Sequence, residues 1–159
     1  MDKDSVFVIC GPPRHGKDTF GEFLSKAMGV PTFSTSSVLY EVMAERLDTT
    51  VKSLHRLDKE DIREDLVALG NELCDEDPGY LVNRAISEGF QIITGVRRVK
   101  EWKATDFPAH LVWIERIGGP LIMDNTEPEL RSLAQSVLEF GEGNFMGMQL
   151  AAQQLVAGQ

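Results

Sequence analysis

The most constraining feature of this chain is the stretch VFVICGPPRHGKDT, which begins at residue 6. A short apolar run rich in β-branched residues leads into a turn that matches G-x-x-x-x-G-K-x-T at Gly11, Gly16, Lys17 and Thr19. The glycines let the backbone curl, so that several N–H groups and the start of the following helix face one anion. Lys17 would then reach the β- and γ-phosphates of a nucleotide. The stretch therefore predicts a strand, a phosphate-binding loop and a helix, with ATP as the ligand.

An aspartate, Asp18, stands where this motif usually has serine or threonine. The usual hydroxyl ligates Mg²⁺, and a carboxylate can do the same because Mg²⁺ prefers hard oxygen ligands. Thr19 offers a hydroxyl one residue later. We therefore expect Asp18 to bind the Mg²⁺ that accompanies ATP, with Thr19 as the other candidate ligand. The alternative is that Asp18 is only an acid that suits the helix dipole.

The rest of the loop completes the predicted nucleotide site. Two prolines stiffen it, and Arg14 and His15 are expected to lean over the phosphates, although His15 could instead be an ordinary polar loop residue. The predicted nucleotide-binding residues are Gly11, Pro12, Pro13, Arg14, His15, Gly16, Lys17, Asp18 and Thr19.

Strand and helix patterns alternate along the remaining chain. Apolar runs predict strands at 5–10, 30–33, 90–95, 110–116 and, for a short last one, 120–124. Helical spacing of apolar residues predicts helices at 17–29, 38–47, 58–74, 77–89, 127–141 and 145–157. This alternation predicts an α/β fold with a parallel sheet of about five strands and helices on both faces. Ligands of such sheets bind at the carboxyl ends of the strands, where the phosphate loop lies.

Composition narrows the partners. The chain has 25 acidic and 16 basic residues, a net charge of −9, which argues against broad sequence-independent DNA binding. No apolar run approaches the roughly 20 residues that a membrane span needs, so no membrane partner is expected. Cys10 and Cys74 have neither a disulfide framework nor metal-ligand spacing, which favours a reducing, cytoplasmic location. The oligomeric state stays open, with a homodimer among the alternatives.

The motif GKDT in this setting resembles the P-loop nucleotide kinases, especially the bacteriophage deoxynucleoside monophosphate kinases. Further segments resemble that family in the same order along the chain: FSTSSVLYEVM (33–43), IREDLVALGNELCDEDPGYLVNRA (62–85), IITGVRRVKEW (92–102) and HLVWIER…DNTEPEL (110–130). The resemblance implies a single P-loop NTPase/kinase domain over residues 1–159, ATP and Mg²⁺ as cofactors, and phosphoryl transfer as the activity.

The resemblance also implies roles for individual residues. The acceptor-binding residues would be Ser34, Thr35, Ser36, Tyr40, Arg63, Arg97 and Arg98. The catalytic residues would be Lys17, Asp18, Arg97 and Arg98, because arginine's planar fork of donors suits a transferring phosphate. The alternatives are a surface arginine for Arg63, a solvated loop for the arginine pair and packing for Tyr40. Weaker candidates are Arg116, Trp102 and Asp124.

Two departures from the family bear on the acceptor. No strand ends in the apolar-run-plus-Asp pattern of a Walker B motif, since Thr94 and Gly95 stand there, and segment 116–126 leaves little room for an arginine-bearing lid. The resemblance extends to phage kinases that phosphorylate the hydroxymethyl group of 5-hydroxymethyluracil in DNA. The missing lid and the basic segment RRVKEWK (97–103) favour that acceptor.

Other functions stay open at this point. A deoxynucleoside monophosphate is the alternative acceptor, and an ATP-binding regulator or ATPase without an acceptor is the second alternative. A hydroxyl acceptor needs a base, for which Asp18 and Glu41 are the candidates, whereas a phosphate acceptor needs none.

Overall fold

A computed structural model of the chain describes residues 5–120 and 126–158. These residues form five strands and eight helices: β1 (Val6–Cys10), α1 (Lys17–Met28), β2 (Thr32–Ser34), α2 (Thr35–Arg46), α3 (Val51–His55), α4 (Lys59–Glu76), α5 (Tyr80–Ser87), β3 (Ile92–Thr94), α6 (Val99–Lys103), β4 (Ala109–Arg116), α7 (Leu130–Leu133), β5 (Ser136–Phe140) and α8 (Phe145–Ala157). None of the helices in these ranges is long and apolar enough to cross a membrane.

The five strands form one parallel sheet in the order β2-β3-β1-β4-β5. The central strand β1 is buried along its whole length, which is why its sequence is a continuous apolar run. In the register of the sheet, Ile9 lies beside Thr94, and Thr94 lies beside Ser34. The segments that follow β1, β2 and β3 therefore leave the sheet on the same side, at the carboxyl ends of the strands.

Helices cover both faces of the sheet, as the alternating pattern predicted. Side chains of β1 point alternately to the two sides. Phe7 and Ile9 pack with α1 and α8, whereas Val8 and Cys10 pack with α5 and α7. A third apolar cluster joins α2, α3 and α4 to one another. The α/β prediction with a five-stranded parallel sheet is confirmed.

One predicted element is wrong. The range 127–141 was expected to be a single helix, but the described residues there form the four-residue helix α7 and the strand β5. Helix α7 ends at Ala134, whose backbone is extended. Gln135 then pairs with Leu111 through a backbone and a side-chain hydrogen bond, and β5 aligns along β4. A free edge of β4 thus overrides the local helical pattern.

The short strand predicted at 120–124 lies, apart from Pro120, outside the described residues, and so does Asp124. The fifth strand of the sheet is β5 instead. Helix α6, which the sequence did not predict, follows the two arginines after β3. The other helices lie within a few residues of their predicted ranges, and Gly29 caps α1 with a left-handed backbone, as expected.

Candidate active site

The loop between β1 and α1 curls tightly between β4 and α8. Gly11 has a φ of 148°, and a Cβ atom there would lie 2.2 Å from the carbonyl oxygen of Ile114. Gly16, with a φ of 90°, stands immediately before α1, and its Cβ would lie 2.9 Å from Met148 Cε. Only glycine fits either position without displacing its neighbours. The two invariant glycines of the predicted motif are therefore both required by the observed backbone.

The loop opens onto a cavity of about 520 Å³. Its lining includes Arg14, Lys17, Asp18 and Thr19 from the loop, Arg116 from β4, and Phe145 from α8. Arg14 is exposed and has a φ of 62°, a left-handed conformation that is uncommon for residues other than glycine. Cationic side chains and the amino end of α1 thus share one cavity, which is an environment that favours a polyphosphate.

His15 lies differently from the expectation that it leans over the phosphates. It is 5% exposed, its Nδ1 accepts a hydrogen bond from the backbone N–H of Arg116 at 2.9 Å, and its Nε2 lies 2.8 Å from the carbonyl oxygen of Pro120. Since Nδ1 is an acceptor, Nε2 carries the proton and donates to Pro120. The ring nitrogens therefore connect the loop to the segment after β4, and only the backbone N–H of His15 is left as a predicted phosphate contact.

Asp18 and Thr19 lie in the first turn of α1, and both line the cavity. Asp18 is exposed, so its carboxylate can be reached by an ion from solvent. No cluster of three His, Cys, Asp or Glu residues that could hold a metal occurs in the described ranges. A carboxylate and a hydroxyl are hard oxygen donors that fit Mg²⁺ when nucleotide phosphates supply further oxygens. Both residues stay predicted Mg²⁺ ligands.

The predicted acceptor residues after β2 divide into exposed and buried ones. Ser34 and Ser36 are exposed, and their hydroxyls lie 2.8 Å apart. Thr35 is buried against the end of β3, where a Cβ on Gly95 would lie 2.1 Å from Thr35 Oγ1. The serine hydroxyls can therefore contact a ligand at this edge of the sheet, whereas the side chain of Thr35 packs β2 against β3.

The two arginines after β3 are not a solvated loop. Arg98 donates from Nη1 to Glu101 at 3.1 Å and from Nη2 to Asn71 Oδ1 on α4. The carbonyl oxygen of Arg97 accepts from the backbone N–H of Glu127 at 2.7 Å. We call residues 97–98 the double-arginine turn. It leaves the sheet beside the phosphate loop, because β3 and β1 are neighbours in the sheet.

Two other predicted acceptor residues lie on the helical layer beside the sheet. Arg63 is exposed on α4 and lines a shallow groove of about 450 Å³ that also contains Asn71. The ring of Tyr40 stacks on His55, with 4.2 Å between the ring centroids. One face of Tyr40 is thus covered by a neighbouring side chain, as its packing alternative proposed. Through Asn71, the groove of Arg63 adjoins the double-arginine turn.

Glu41, a candidate base, is paired with a residue that the sequence analysis missed. Arg84 of α5 donates to Glu41 at 2.6 Å, and it also contacts Glu88 and the hydroxyl of Tyr80. These partners raise the pKa of Arg84, mainly through the hydrogen bond to Tyr80. The carboxylate of Glu41 is thus directed at the guanidinium of Arg84, and contact with an acceptor hydroxyl would have to compete with this ion pair.

At least two of the four cations in the basic segment 97–103 are paired with acids, which weakens the expected cationic patch. Arg98 is paired with Glu101, and Lys100 donates to Asp75 at 2.5 Å. The hydrogen bond to Asp75 raises the pKa of Lys100. Trp102 is half-buried and packs against the core beneath β1 and β3 instead of facing a ligand. Of the two acids in these pairs, Asp75 lies on α4 and Glu101 lies within the segment, and the sequence pattern of the segment shows only Glu101.

The comparison with a solved structure covers almost the whole chain, whereas the sequence match to an enzyme covers little more than a third of it. No family model matches the chain. A stretch of 59 residues is 39% identical to an adenylate kinase of Chlamydia pneumoniae, and it covers 37% of this chain and 28% of that enzyme. A solved structure described as "a putative kinase from Chloroflexus aurantiacus J-10-fl" superposes with a TM-score of 0.54 and 14% identity, over 99% of this chain and 100% of the other.

The structural likeness, at this identity, concerns the fold alone, and the chain spans little more than a quarter of the adenylate kinase's length. The sheet order, the glycine-rich loop at its carboxyl edge and the likeness to the Chloroflexus protein agree with one another. The chain has the α/β fold of the P-loop kinases.

Proposed function

We propose that this protein is an ATP-dependent kinase that transfers a phosphoryl group to a small nucleotide acceptor, a nucleoside monophosphate. The observation that supports the proposal is that two candidate anion-binding features follow neighbouring strands, at the carboxyl ends of the sheet. The phosphate loop follows β1, and the double-arginine turn follows the adjacent strand β3. The match to an adenylate kinase over 59 residues supports the same activity class.

The reaction joins these two features. An oxygen of the acceptor phosphate would attack the γ-phosphorus of ATP in line, and the bond from that phosphorus to the β,γ-bridging oxygen would break, leaving ADP. Lys17 and the amino end of α1 would stabilise the charge on the transferred group, while Arg98 would hold the acceptor phosphate. The magnesium ion of Mg·ATP would neutralise phosphate charge, with Asp18 and Thr19 as its predicted protein ligands.

A phosphate acceptor suits the residues present. Such an acceptor is already ionised at neutral pH and needs no general base, and Glu41 is engaged with Arg84. A hydroxyl acceptor would need a base in reach. Of the two candidate bases, Glu41 is paired with Arg84 and Asp18 is the predicted ligand of Mg²⁺, so a monophosphate is favoured over a hydroxymethyl group.

The second candidate acceptor is the hydroxymethyl group of 5-hydroxymethyluracil in DNA. The short segment 116–126 favours it, because a bulky acceptor can itself exclude water where a lid is small. DNA binding would also need cations along the phosphates. The pairing of Lys100 with Asp75 and the net charge of −9 leave few cations for a DNA backbone, so we rank this acceptor second.

The test is transfer of the labelled γ-phosphate from ATP to a panel of ribo- and deoxynucleoside monophosphates and to DNA that contains 5-hydroxymethyluracil. The proposal expects a labelled nucleoside diphosphate from at least one monophosphate and no labelled DNA. Labelled DNA alone would move the function to the second candidate. Turnover of ATP that no acceptor changes would instead indicate an ATPase or an ATP-binding regulator.

Lys17→Ala is expected to abolish transfer without unfolding the protein. Lys26→Ala is the matched control, since Lys26 lies exposed in the last turn of the same helix. Activity retained by Lys17→Ala would reject the assignment of the phosphate loop as the nucleotide site.

A further inference from the structure

Glu101 is a carboxylate buried in α6, with 1% of the residue's surface exposed. A charged carboxylate so far from water destabilises a protein unless it is paired and hydrogen-bonded. Its Oε1 accepts from Nη1 of Arg98 at 3.1 Å and lies 3.4 Å from the backbone nitrogen of Arg97. One buried oxygen thus contacts both the guanidinium and the backbone of the double-arginine turn.

A second residue holds the other side of the same guanidinium. Nη2 of Arg98 donates to Asn71 Oδ1, on a helix that is 27 residues away along the chain. The Arg98 side chain is 12% exposed. A guanidinium has five N–H donors in one plane, and these two bonds use one donor on each terminal nitrogen. The plane of Arg98 is therefore fixed, while donors remain that can bind an anion.

We propose that Glu101 is a positioning residue that holds Arg98 in the orientation in which it binds the phosphate of the acceptor. The inference rests on the proposed function, since it assumes a monophosphate beside the double-arginine turn. An arginine held in this way has lost its rotamer freedom on folding and does not lose it again on each binding event.

The electrostatics of the carboxylate agree with a role in orientation. Burial raises the pKa of Glu101, and the charge of Arg98 opposes that rise. Burial is the larger of the two effects, so Arg98 offsets only part of the cost of keeping this carboxylate away from water. Buried ion pairs contribute little to stability compared with apolar residues of similar volume. Packing alone would be served as well by an apolar side chain, whereas a fixed guanidinium needs the carboxylate.

The decisive variant is Glu101→Gln, which keeps the shape and one acceptor oxygen but removes the charge. Its matched control is Glu72→Gln, because Glu72 also accepts from an arginine, Arg46, at 2.7 Å, but on the exposed surface. Steady-state rates are measured against ATP and against the best monophosphate of the panel. Glu101→Gln is expected to raise the acceptor KM by about ten- to a hundredfold, as misplaced groups do, and to leave the ATP KM within about twofold. Glu72→Gln is expected to leave both unchanged.

A second variant covers the case in which Glu101→Gln does not fold. Asn71 is exposed on α4, so Asn71→Ala leaves the core intact, and it is expected to raise the acceptor KM by a smaller factor. An NMR measurement of the Arg98 guanidinium, assigned by its loss in Arg98→Lys, needs no turnover. Rotation about Cζ–Nε should be slow in the wild type and fast in Glu101→Gln.

The outcomes separate the two proposals. If the wild type transfers phosphate to no monophosphate, the proposed function fails, and the acceptor role of Arg98 fails with it. If the wild type is active but Glu101→Gln changes neither KM, or raises both equally, only the role of Glu101 is overturned. Equal guanidinium rotation in both proteins would also overturn it.

Discussion

The His15 contacts allow a quantitative test of how the phosphate loop is held. His15→Ala removes the partners of the Arg116 N–H and the Pro120 carbonyl. Losing a bond to a partly buried backbone group costs about 1–2 kcal/mol, so we expect the free energy of unfolding to fall by about 2–4 kcal/mol. The substitution also removes the tie between the phosphate loop and the segment after β4, so ATP affinity should fall about tenfold, which corresponds to about 1.4 kcal/mol.

The assay is urea unfolding followed by the fluorescence of Trp102 and Trp113, with ATP titration of the folded proteins. For a slope of about 2 kcal/mol per M urea, the midpoint should fall by about 1–2 M. His55→Ala is the control, because His55 is exposed and stacks on Tyr40, and it should lose less than about 1.5 kcal/mol. Equal midpoints for wild type and His15→Ala would refute the idea that this ring holds the loop.

Three further predictions concern buried groups. Gly11→Ala should lower both the urea midpoint and the ATP affinity, because the new Cβ would lie 2.2 Å from the carbonyl oxygen of Ile114. Gly141→Ala is the control and should keep the wild-type urea midpoint, because no atom lies within 4 Å of a Cβ at that position. If both variants lowered the midpoint equally, the steric argument would be wrong. Burial raises the pKa of Cys10 to about 12, so iodoacetamide at pH 8 should alkylate this thiol only after urea unfolds the protein. Detection of alkylated Cys10 in the native protein by mass spectrometry would contradict this prediction. The pKa of Glu101 is raised on folding, so the folded state binds more protons at this residue than the unfolded state does. The stability of the wild type relative to Glu101→Gln should therefore fall as the pH rises from about 4.5 to neutral. Urea midpoints that show the opposite trend would mean that the ion pair with Arg98 outweighs burial.

The sequence predicted best where local pattern and global fold agree. The apolar run of β1 is buried on both faces, and the glycines of the loop have the backbone angles that the motif requires. Helix α4 begins at Asp58, which accepts from the backbone N–H of Glu60, and acidic residues fill its first turn. Such signals lie within a few residues of the structure that they specify, so they can be recognised from the local sequence alone.

Most of the misses depend on contacts between distant parts of the chain. Strand β5 forms because β4 offers a free edge, and the helical pattern of 127–141 contains no trace of that edge. The partners of His15 lie more than 100 residues away, so no spacing rule predicts that its ring faces the protein. Glu101 could have been found, because an acid three residues after an arginine is a helix-type ion pair. The burial of Glu101 could not be predicted, because it depends on how α6 packs in the folded protein.

The contacts of His15 and Arg98 bear on how phosphoryl transfer would proceed when the segment 116–126, where a lid would lie, is short. A mobile lid brings arginines to the phosphates and excludes water in one movement. Here the guanidinium of Arg98 is held by Glu101 and Asn71 before a nucleotide binds, and the backbone of Arg116 is held against the loop through His15. A cation placed in this way supplies the electrostatic part of a lid's role, but it does not by itself exclude water from the cavity. If the proposed function is right, ATP hydrolysis without an acceptor should therefore be measurable, and the acceptor should suppress it by displacing water from the cavity.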